Sequence, residues 1–575
     1  MKLVEAYRLC RAPSAAGSDL FRVGLACGFA PLHLGTFLEA HLRAAISRPV
    51  AVETGLYGDL LGTVRGFRKK KLDAAVVAIE WPDLDARLGI RANARWSRLV
   101  LPDILSASRS WLRALTRELQ NLAGDTRVAL FMPTLPLPPI SHVRTAELSR
   151  FEIDLRCSLL SALASLGESS GISIAGPDEL SRLSPPALRH DPAVEILHGF
   201  PYRLEHADAL AALATRLVVP HNPKKGLITD LDDTLWAGIV GDDGPDGVHW
   251  DLDHHAQIHA VYQNVLNSLA ETGALLAIAS KNDEPVVREA LRRPDLILQP
   301  ENVFPIEAHW QPKSVSVARI LKTWNIAPDS VVFIDDNPLE IAEVQAAYPE
   351  MECDLFPKND PAAVMALLYR LRERFGKRDI AEEDALRLAS IRSAAVLHAV
   401  PEKPGELDNL LQSAESRATI TWGREEFLPR ALELVNKTNQ FNLNGIRHTE
   451  ASLRRYVTDP SSHFMVAEYE DRFGKLGKIA VLTGQKEQDR FKVDVWVLSC
   501  RAFSRRIEFG CLRAVFEDLD VQAVTLPFRD TGRNAPLREF LEYLAGQPPS
   551  GDVTLSRDAF NARCPRLYFN SAANR

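Results

Sequence analysis

The sequence predicts a multidomain α/β protein, and three features of the chain carry this prediction. Short apolar runs alternate with segments of helical period over residues 1–219, which is the pattern of a doubly wound parallel sheet. Farther along, polar side chains follow apolar runs at intervals that leave room for a strand, a helix and a return. In the last third, three strand patterns follow one another directly before a helix, which indicates an α+β domain.

The composition favours an ordinary globular protein of the cytoplasm. At 575 residues the chain is long enough for about three or four domains, and 46% hydrophobic residues suffice for their cores. A net charge of −7 provides no general attraction to nucleic acid or to acidic membranes. Seven scattered cysteines without CxxC spacing argue against a zinc site or a disulfide framework. We expect no signal peptide, because Lys2, Glu5, Arg8 and Arg11 precede any apolar core, and no membrane partner, because no apolar run approaches about 20 residues.

Residues 1–219 are predicted to form the first α/β domain. Its buried strands are predicted at residues 21–27, 50–53, 72–79 and 127–132. The following stretch, 220–225, is rich in proline, lysine and asparagine and is predicted to be the linker into a central domain of residues 220–375.

The central domain contains four polar side chains in an order that predicts phosphoryl transfer. Asp230 and Asp232 follow an apolar strand pattern, Lys313 stands alone in Gln-Pro-Lys-Ser, and Asp335 ends a second apolar run. A carboxylate that approaches a phosphate ester is repelled by roughly 4 kcal/mol per charge pair at about 4 Å. A divalent cation on Asp230 and Asp335, together with the Lys313 ammonium, would offset that repulsion. Asp230 is then the predicted nucleophile, and Asp232 the acid that protonates the leaving oxygen.

Each of these residues alone has an ordinary structural explanation. An Asp-x-Asp pair after a strand is usually a loop or a helix cap, and a lone lysine is usually a solvated surface residue. A serine that ends a strand, such as Ser280, usually caps the next helix. It is the ordered set that favours phosphoryl transfer.

The strings DLDDT, AIAS and IDDN, with the lone lysine, resemble the four motifs of the haloacid dehalogenase (HAD) superfamily. The resemblance implies a HAD-like, Rossmann-like central domain that uses Mg²⁺. It further implies that Ser280 binds a phosphoryl oxygen and that Asp336 lies beside the metal. The metal ligands that it implies are Asp230, Asp232, Asp335 and Asp336. The substrate-binding residues that it implies in this domain are Thr234, Ser280, Lys281 and Asn282.

Longer strings narrow the resemblance. The segments DLDDTLWAGIVGDDGPDGV, ASKND and FIDDNPLEIAEV are similar to the FkbH-like branch of that superfamily. This similarity implies a glyceryl transferase/phosphatase that takes the acyl group of 1,3-bisphosphoglycerate, removes phosphate and loads glyceryl on an acyl carrier protein for polyketide-type biosynthesis. The chain departs from the branch at Asp233, where asparagine is usual. The added negative charge would either tighten metal binding or weaken the affinity for an anionic substrate.

The N-terminal region resembles the SGNH-hydrolase-like domain of full-length FkbH-like proteins. Where such a hydrolase carries its nucleophilic serine, the chain has Ala26-Cys27-Gly28-Phe29. Cys27 is either a substitute nucleophile or a buried small apolar residue, and burial is the commoner state of a free cysteine. We therefore expect a binding or structural domain.

Residues 419–575 are predicted to form a third domain after a charged helical connector at 376–418. Strand patterns at 462–468, 477–483 and 491–498 precede a helix from about residue 505, an order that resembles the GNAT acyltransferase fold. In that fold, amides at the helix start receive the pyrophosphate of coenzyme A. Here Ser504 and Arg506 stand where glycines are expected, which argues against coenzyme A and leaves a carrier's phosphopantetheine arm as a candidate ligand.

The turn before that helix contains further candidate residues. Arg501 and Arg505 are predicted to meet the arm's phosphate or an acidic carrier surface, and the alternative is an exposed arginine-rich helix start. Cys500 is a candidate catalytic thiol that accepts the acyl group, because cationic neighbours and a helix start activate thiols, and the alternative is simple burial. The polar segment 436–443 either lines a substrate site or forms a capped turn.

Three functions therefore compete. The first is the glyceryl transferase/phosphatase, and the second is a magnesium-dependent phosphatase of a free small phosphorylated metabolite. The third is a non-catalytic carrier-docking protein, against which the complete set of charged motif residues argues.

Overall fold

The computed structural model describes residues 1–12, 19–92, 96–124, 126–169, 171–378, 380, 384, 387–389, 391–392, 406–472, 474–499, 502–503 and 505–574. These residues divide into two compact units, Met1–His221 and Asn222–Arg575. Within the described part of the chain, no helix combines the length and the apolar character needed to cross a membrane.

The first unit is built on a parallel sheet with the strand order β2-β1-β3-β4-β5. Its strands are β1 Phe21–Cys27, β2 Val50–Thr54, β3 Ala74–Ala78, β4 Arg127–Phe131 and β5 Ile172–Ile174. Its helices are α1 Leu3–Arg11, α2 Leu32–Ile46, α3 Leu60–Phe67, α4 Trp81–Leu84, α5 Leu101–Leu122, α6 Arg150–Gly167, α7 Pro177–Leu183, α8 Pro192–His198 and α9 Leu204–Val218.

Helices cover both faces of this sheet, which explains why its strands are continuous apolar runs rather than alternating ones. Residues of α1, α2 and α9 share one core with the sheet, and residues of α3, α5 and α6 share the other. The doubly wound arrangement predicted from the sequence is confirmed. Cys27 is 5% exposed, and burial, with the Asp83 carboxylate adding to it, raises the pKa of its thiol. A protonated, buried thiol is a poor nucleophile.

The second unit begins with another parallel sheet, of order β10-β9-β6-β7-β8. Its strands are β6 Gly226–Thr229, β7 Leu275–Ser280, β8 Val303–Ala308, β9 Val331–Asp335 and β10 Glu352–Leu355. The helices around it are α10 Val240–Asp243, α11 Gln257–Glu271, α12 Glu284–Ala290, α13 Lys313–Trp324, α14 Pro338–Ala347 and α15 Pro361–Phe375. Strands β6 and β9 are neighbours at the centre, so the residues that follow them meet at one edge.

A mixed sheet of order β16-β15-β14-β13-β12-β11-β17 follows in the same unit. Its strands are β11 Arg417–Trp422, β12 Ser462–Asp471, β13 Gly474–Glu487, β14 Arg490–Leu498, β15 Ala523–Pro527, β16 Asp552–Ser556 and β17 Asn570–Asn574. The helices are α16 Glu406–Ser413, α17 Leu428–Lys437, α18 Glu450–Thr458, α19 Ile507–Asp518, α20 Ala535–Ala545 and α21 Arg557–Arg563. Much of the predicted connector 376–418 lies outside the described residues. The two parallel sheets and the mixed sheet confirm the predicted multidomain α/β class.

Strands β14 and β15 pair over three residues at one end and then separate. The second half of the polar segment 436–443 lies against β14 beyond that point. The Leu443 amide donates to the Trp496 carbonyl at 3.0 Å, and the Leu498 amide donates to the Phe441 carbonyl at 3.1 Å. On the other side of residues 441–443, the buried Asn534 side chain donates to the Asn442 carbonyl at 2.9 Å. The segment therefore acts as a short additional strand.

Candidate active site

The central parallel sheet brings two predicted carboxylates together at its carboxyl edge. Thr229 of β6 is paired with Ile334 of β9, so that Asp230 and Asp335 are next to each other. The Asp230 amide donates to the Ile334 carbonyl at 2.9 Å, which fixes the main chain at this point. The carboxyl edge of central strands is where open α/β sheets place their ligand sites.

Lys313 joins these two carboxylates. It is the first residue of α13, and its Nζ donates to Asp230 Oδ1 at 2.5 Å, to Asp335 Oδ2 at 3.0 Å and to the Ala279 carbonyl at 2.6 Å. Lys313 is 3% exposed, Asp230 7% and Asp335 1%. All three ammonium hydrogens therefore have acceptors in a buried site, where charge interactions are strong.

Burial controls the titration of this group. Burial raises the pKa of Asp230, and Asp335 adds to the increase while Lys313 opposes it. Burial also raises the pKa of Asp335, again against the effect of Lys313. For Lys313, burial lowers the pKa, but the two carboxylates outweigh it and the pKa is raised. One buried cation thus serves two buried anions, and the site retains an excess of negative charge.

Asp336 completes a set of oxygen ligands suited to a metal ion. Carboxylate oxygens of Asp230, Asp335 and Asp336 all lie within 4.8 Å of one another. The Asn337 amide donates to Asp335 Oδ1 at 2.9 Å and so orients that carboxylate. Carboxylate oxygens are the preferred protein ligands of Mg²⁺, which also keeps waters and substrate oxygens in its shell. The donor set and its excess negative charge fit a divalent cation.

Asp232 is held apart from that set by its own hydrogen bonds. Its Oδ1 accepts from the Trp236 indole and the Val240 amide, both at 3.0 Å. Its Oδ2 accepts from Asn282 Nδ2 at 2.8 Å, and the same amide donates to Ser280 Oγ at 2.9 Å. The structure thus links Asp232, Asn282 and Ser280 in one chain. The Asp232 carboxylate is not part of the set formed by Asp230, Asp335 and Asp336, so the structure does not bring its side chain together with the other three predicted metal ligands.

Lys358 is a residue of the site that the sequence analysis missed. Its Nζ lies 2.6 Å from Asp233 Oδ2 and 2.8 Å from Asp336 Oδ2. Burial opposes ionisation of Asp233, but the hydrogen bond and charge of Lys358, together with the hydrogen bond from the Gly238 amide, outweigh it and lower the pKa of that carboxyl. The charge at Asp233, the position at which the chain departs from the FkbH-like strings, is thereby paired with a cation of the protein. Lys358 follows β10 at the same sheet edge, and that position was the signal available in the sequence.

Two predicted substrate-binding residues of this domain have other surroundings. Thr234 has no exposed surface, and its hydroxyl is without a hydrogen-bond partner among the described residues. Lys281 forms an ion pair with Glu340 of α14 at 2.7 Å. The structure gives Thr234 no surface with which to contact a substrate, and it ties the Lys281 ammonium to a carboxylate of the protein.

The predicted residues of the C-terminal domain do not form a described site. Cys500 and Arg501 lie outside the residues that the structure describes. Arg505 is 1% exposed, and its Nε donates to Asp471 Oδ2 at 3.1 Å. This places the guanidinium inside the domain rather than at the surface, where contact with a carrier protein or a phosphate requires it.

The fold and the site define a multidomain α/β protein with two Rossmann-like parallel-sheet domains and a mixed-sheet domain, and with a charged cluster at the carboxyl edge of the second sheet. No family model matches the chain, and no curated protein matches it. It is similar to the N-terminal part of protein BF1531 from Bacteroides fragilis, a part that contains a phosphatase domain and was solved in complex with Mg. The identity is 20%, the match covers 66% of this chain and 100% of that chain, and the TM-score is 0.53.

The salicylyl-acyltransferase SsfX3 from a tetracycline biosynthetic pathway is a second structure with some similarity. The identity is 11%, the match covers 36% of this chain and 55% of that chain, and the TM-score is 0.21. A match of this quality carries no argument. The similarity to the Bacteroides fragilis protein supports the fold.

Proposed function

We propose that this chain is a Mg²⁺-dependent phosphatase and acyltransferase. It would remove phosphate from an acyl group derived from 1,3-bisphosphoglycerate and load glyceryl on an acyl carrier protein. The observation that supports the phosphatase half is the contact of Lys313 with Asp230 and Asp335 in a buried site. The transfer half is supported by the three long strings that are similar to the FkbH-like branch.

The side chains of the site can divide the reaction into two steps. In the first, an oxygen of Asp230 attacks the phosphorus, the bond from phosphorus to the leaving oxygen breaks, and Asp232 gives that oxygen a proton. In the second, Asp232 takes a proton from water, the water oxygen attacks phosphorus, and the bond to Asp230 breaks to release phosphate. Ser280 Oγ accepts from Asn282, which leaves its own hydrogen for a phosphoryl oxygen.

Asp230, Asp335 and Asp336 are the residues that would hold Mg²⁺. When bound, the ion would supply positive charge to the transferring phosphoryl group. The similar structure from Bacteroides fragilis, which was solved in complex with Mg, supports this choice of metal. Lys313 would remain as the second cation, favour the ionised form of Asp230 and orient that carboxylate.

The burial of Arg505 favours an alternative function, a phosphatase that acts without a carrier protein. A phosphatase of a free small phosphorylated metabolite needs the Asp230 site but no carrier contact in the C-terminal domain. An arginine that is 1% exposed and paired with a carboxylate offers no such contact. The two functions share the phosphoryl chemistry and differ in the acceptor of the acyl group.

Intact-mass analysis of a carrier protein separates the two functions. The full chain, the carrier, Mg²⁺ and 1,3-bisphosphoglycerate are incubated together, and released phosphate is measured in parallel. A glyceryl adduct that disappears in Asp230→Asn and persists in Asp246→Asn, a change at an exposed aspartate, supports transfer. Phosphate release with an unmodified carrier supports the metabolite phosphatase. If Asp230→Asn retains full phosphate release, the phosphatase chemistry is assigned to the wrong residue.

A further inference from the structure

The first unit contains a cavity of ≈ 320 Å³ at the carboxyl edge of its parallel sheet. We call it the first-unit cavity. Gly28 follows β1 and Glu80 follows β3, and both residues line it. Strands β1 and β3 are neighbours in the order β2-β1-β3-β4-β5, and the chain reverses its direction of winding between them. Open α/β sheets bind their ligands in the crevice at such a point.

Most of the remaining lining of the cavity is apolar. Four aromatic side chains contribute to it, Phe29, Tyr57, Trp81 and Trp111. The Trp81 indole donates to the Leu135 carbonyl at 2.8 Å, which fixes this ring at the wall. A preformed apolar wall of this kind suits the uncharged body of an organic molecule.

Asp83 of α4 adds a carboxylate to this lining. Its Oδ2 accepts from the Glu80 amide at 2.7 Å. Among the described residues, no donor reaches its Oδ1, and no lysine, arginine or histidine pairs with the carboxylate. A side chain at residue 28 would overlap Asp83 Oδ1, so residue 28 must be glycine for the carboxylate to lie there.

Glu80, a second carboxyl of the interior, is already bonded within the protein. Its oxygens accept from the Thr134 amide at 3.0 Å and from the Tyr202 hydroxyl at 2.8 Å. Burial raises the pKa of Glu80 and of Asp83 to about 7, and the Glu80 charge adds to the increase at Asp83. Arg189 acts on Glu80 through its charge, but its guanidinium donates to two carbonyls and to a serine hydroxyl.

The other charged residues of the described lining are Asp59, Arg91, His190 and Glu195. His190 Nε2 lies 2.6 Å from Glu195 Oε2. Arg91 is exposed and donates to the Tyr57 hydroxyl at 2.7 Å, and Asp59 caps the start of α3. None of these four residues forms an ion pair with Asp83.

We propose that the first-unit cavity binds a small organic cation, a primary ammonium carried on an apolar body. The ammonium would donate to Asp83 Oδ1, and the body would lie against the apolar wall. A carboxylate in surroundings of low dielectric constant gains most from a charged donor, since hydrogen bonds between ionised groups are the strong ones. The volume lies near the lower end of the range for small-molecule sites, which favours a small amine. The site is independent of the proposed phosphatase, because it uses no residue of the carboxylate cluster.

Calorimetric titration of the full chain at pH 8 tests this site. Phenethylamine is the probe, and 2-phenylethanol is its uncharged match in size and shape. Because the pKa of Asp83 is about 7, its carboxyl is ionised at this pH, at which the amine is still a cation. We expect saturable binding of the amine. The alcohol should bind at least about tenfold more weakly, because one charge-assisted hydrogen bond is lost.

Three variants locate the binding. Asp83→Asn keeps the shape of the side chain and removes its charge, so it should weaken the binding of the amine at least about tenfold. Asp103→Asn removes a carboxylate that is 72% exposed and lies outside the lining, and Asp230→Asn removes one from the candidate active site. Both should bind phenethylamine as the unmodified chain does.

Thermal unfolding of Asp83→Asn separates lost binding from a lost fold, because this variant should be at least as stable at pH 8 as the unmodified chain. The proposal is overturned if phenethylamine does not bind, or if 2-phenylethanol binds as tightly. It is also overturned if folded Asp83→Asn binds the amine as well as the unmodified chain does. Binding that is lost in Asp230→Asn and kept in Asp83→Asn would assign the amine to the carboxylate cluster instead.

Discussion

Replacing Lys313 by methionine tests the electrostatics of the candidate active site. The change keeps the length of the side chain but removes the cation that lies 2.5 Å from Asp230 and 3.0 Å from Asp335. Two buried carboxylates then face each other without compensation. Breaking a buried ion pair in this way costs about 3–5 kcal/mol of unfolding free energy.

Protonation of the two carboxyls reduces this cost as the pH falls. Burial already raises the pKa of both carboxyls, and loss of the ammonium would raise it further. Each carboxyl therefore becomes neutral at a higher pH than in the unfolded chain, and the repulsion weakens as the pH falls. The destabilisation of Lys313→Met should be largest near pH 8 and should shrink towards pH 5.

Thermal unfolding in EDTA and in Mg²⁺ measures the effect. In EDTA at pH 8 we expect the melting temperature of the second unit to fall by about 6–20 °C, at about 2–4 °C per kcal/mol. Mg²⁺ at a hundredfold excess over its dissociation constant should restore about 2.7 kcal/mol of unfolding free energy. Hydrolysis of p-nitrophenyl phosphate should fall at least about a hundredfold. A variant that melts like the unmodified chain in EDTA, or that gains nothing from Mg²⁺, would refute the reasoning.

Three further changes test other parts of the structure. Burial raises the pKa of Asp83 to about 7. The unfolding free energy of the first unit therefore falls as the pH rises from about 4 to about 7. Asp83→Asn should therefore melt as the unmodified chain does near pH 4 and gain about 4 kcal/mol at pH 8, whereas an equal gain at both pH values would contradict this. Arg505→Met removes the guanidinium that pairs with the buried Asp471 carboxylate; in urea the variant should lose about 3–5 kcal/mol of unfolding free energy, while phosphate release by the folded protein stays unchanged. Asp233→Asn frees one bond of Lys358 and removes a negative charge, so the KM for p-nitrophenyl phosphate should fall about two- to fivefold; an unchanged KM would show that the charge does not reach the substrate.

Apolar pattern and length set how much of the fold could be predicted. The strand predicted at residues 21–27 is β1, and the one predicted at 491–498 lies within β14, because both are long apolar or alternating runs. Strand β5, Ile172–Ile174, is too short to show a period. Strand β17, Asn570–Asn574, is polar and is defined by its pairing with β11, which no local pattern reveals.

The part of the candidate site that could be predicted consists of residues that directly follow strands or begin a helix of the parallel sheet. Asp230, Lys313 and Asp335 meet because a parallel sheet gathers the ends of its strands at one edge. Lys358 was missed because its role depends on how far the chain extends beyond β10 before it turns. The burial of Arg505 was missed because its partner carboxylate, Asp471, lies at the end of β12 and becomes a neighbour of the turn before α19 only after the domain has folded.

The short segment beside β14 also affects how this domain meets other molecules. A strand edge with free amides and carbonyls is a template on which foreign peptides, or a second copy of the same chain, can add a strand. Phe441 and Leu443 already occupy those groups at Trp496 and Leu498. The gap between β14 and β15 is therefore protected against strand addition and edge-to-edge aggregation. An amide-rich ligand that pairs with β14 there would first have to displace the segment that Asn534 holds in place.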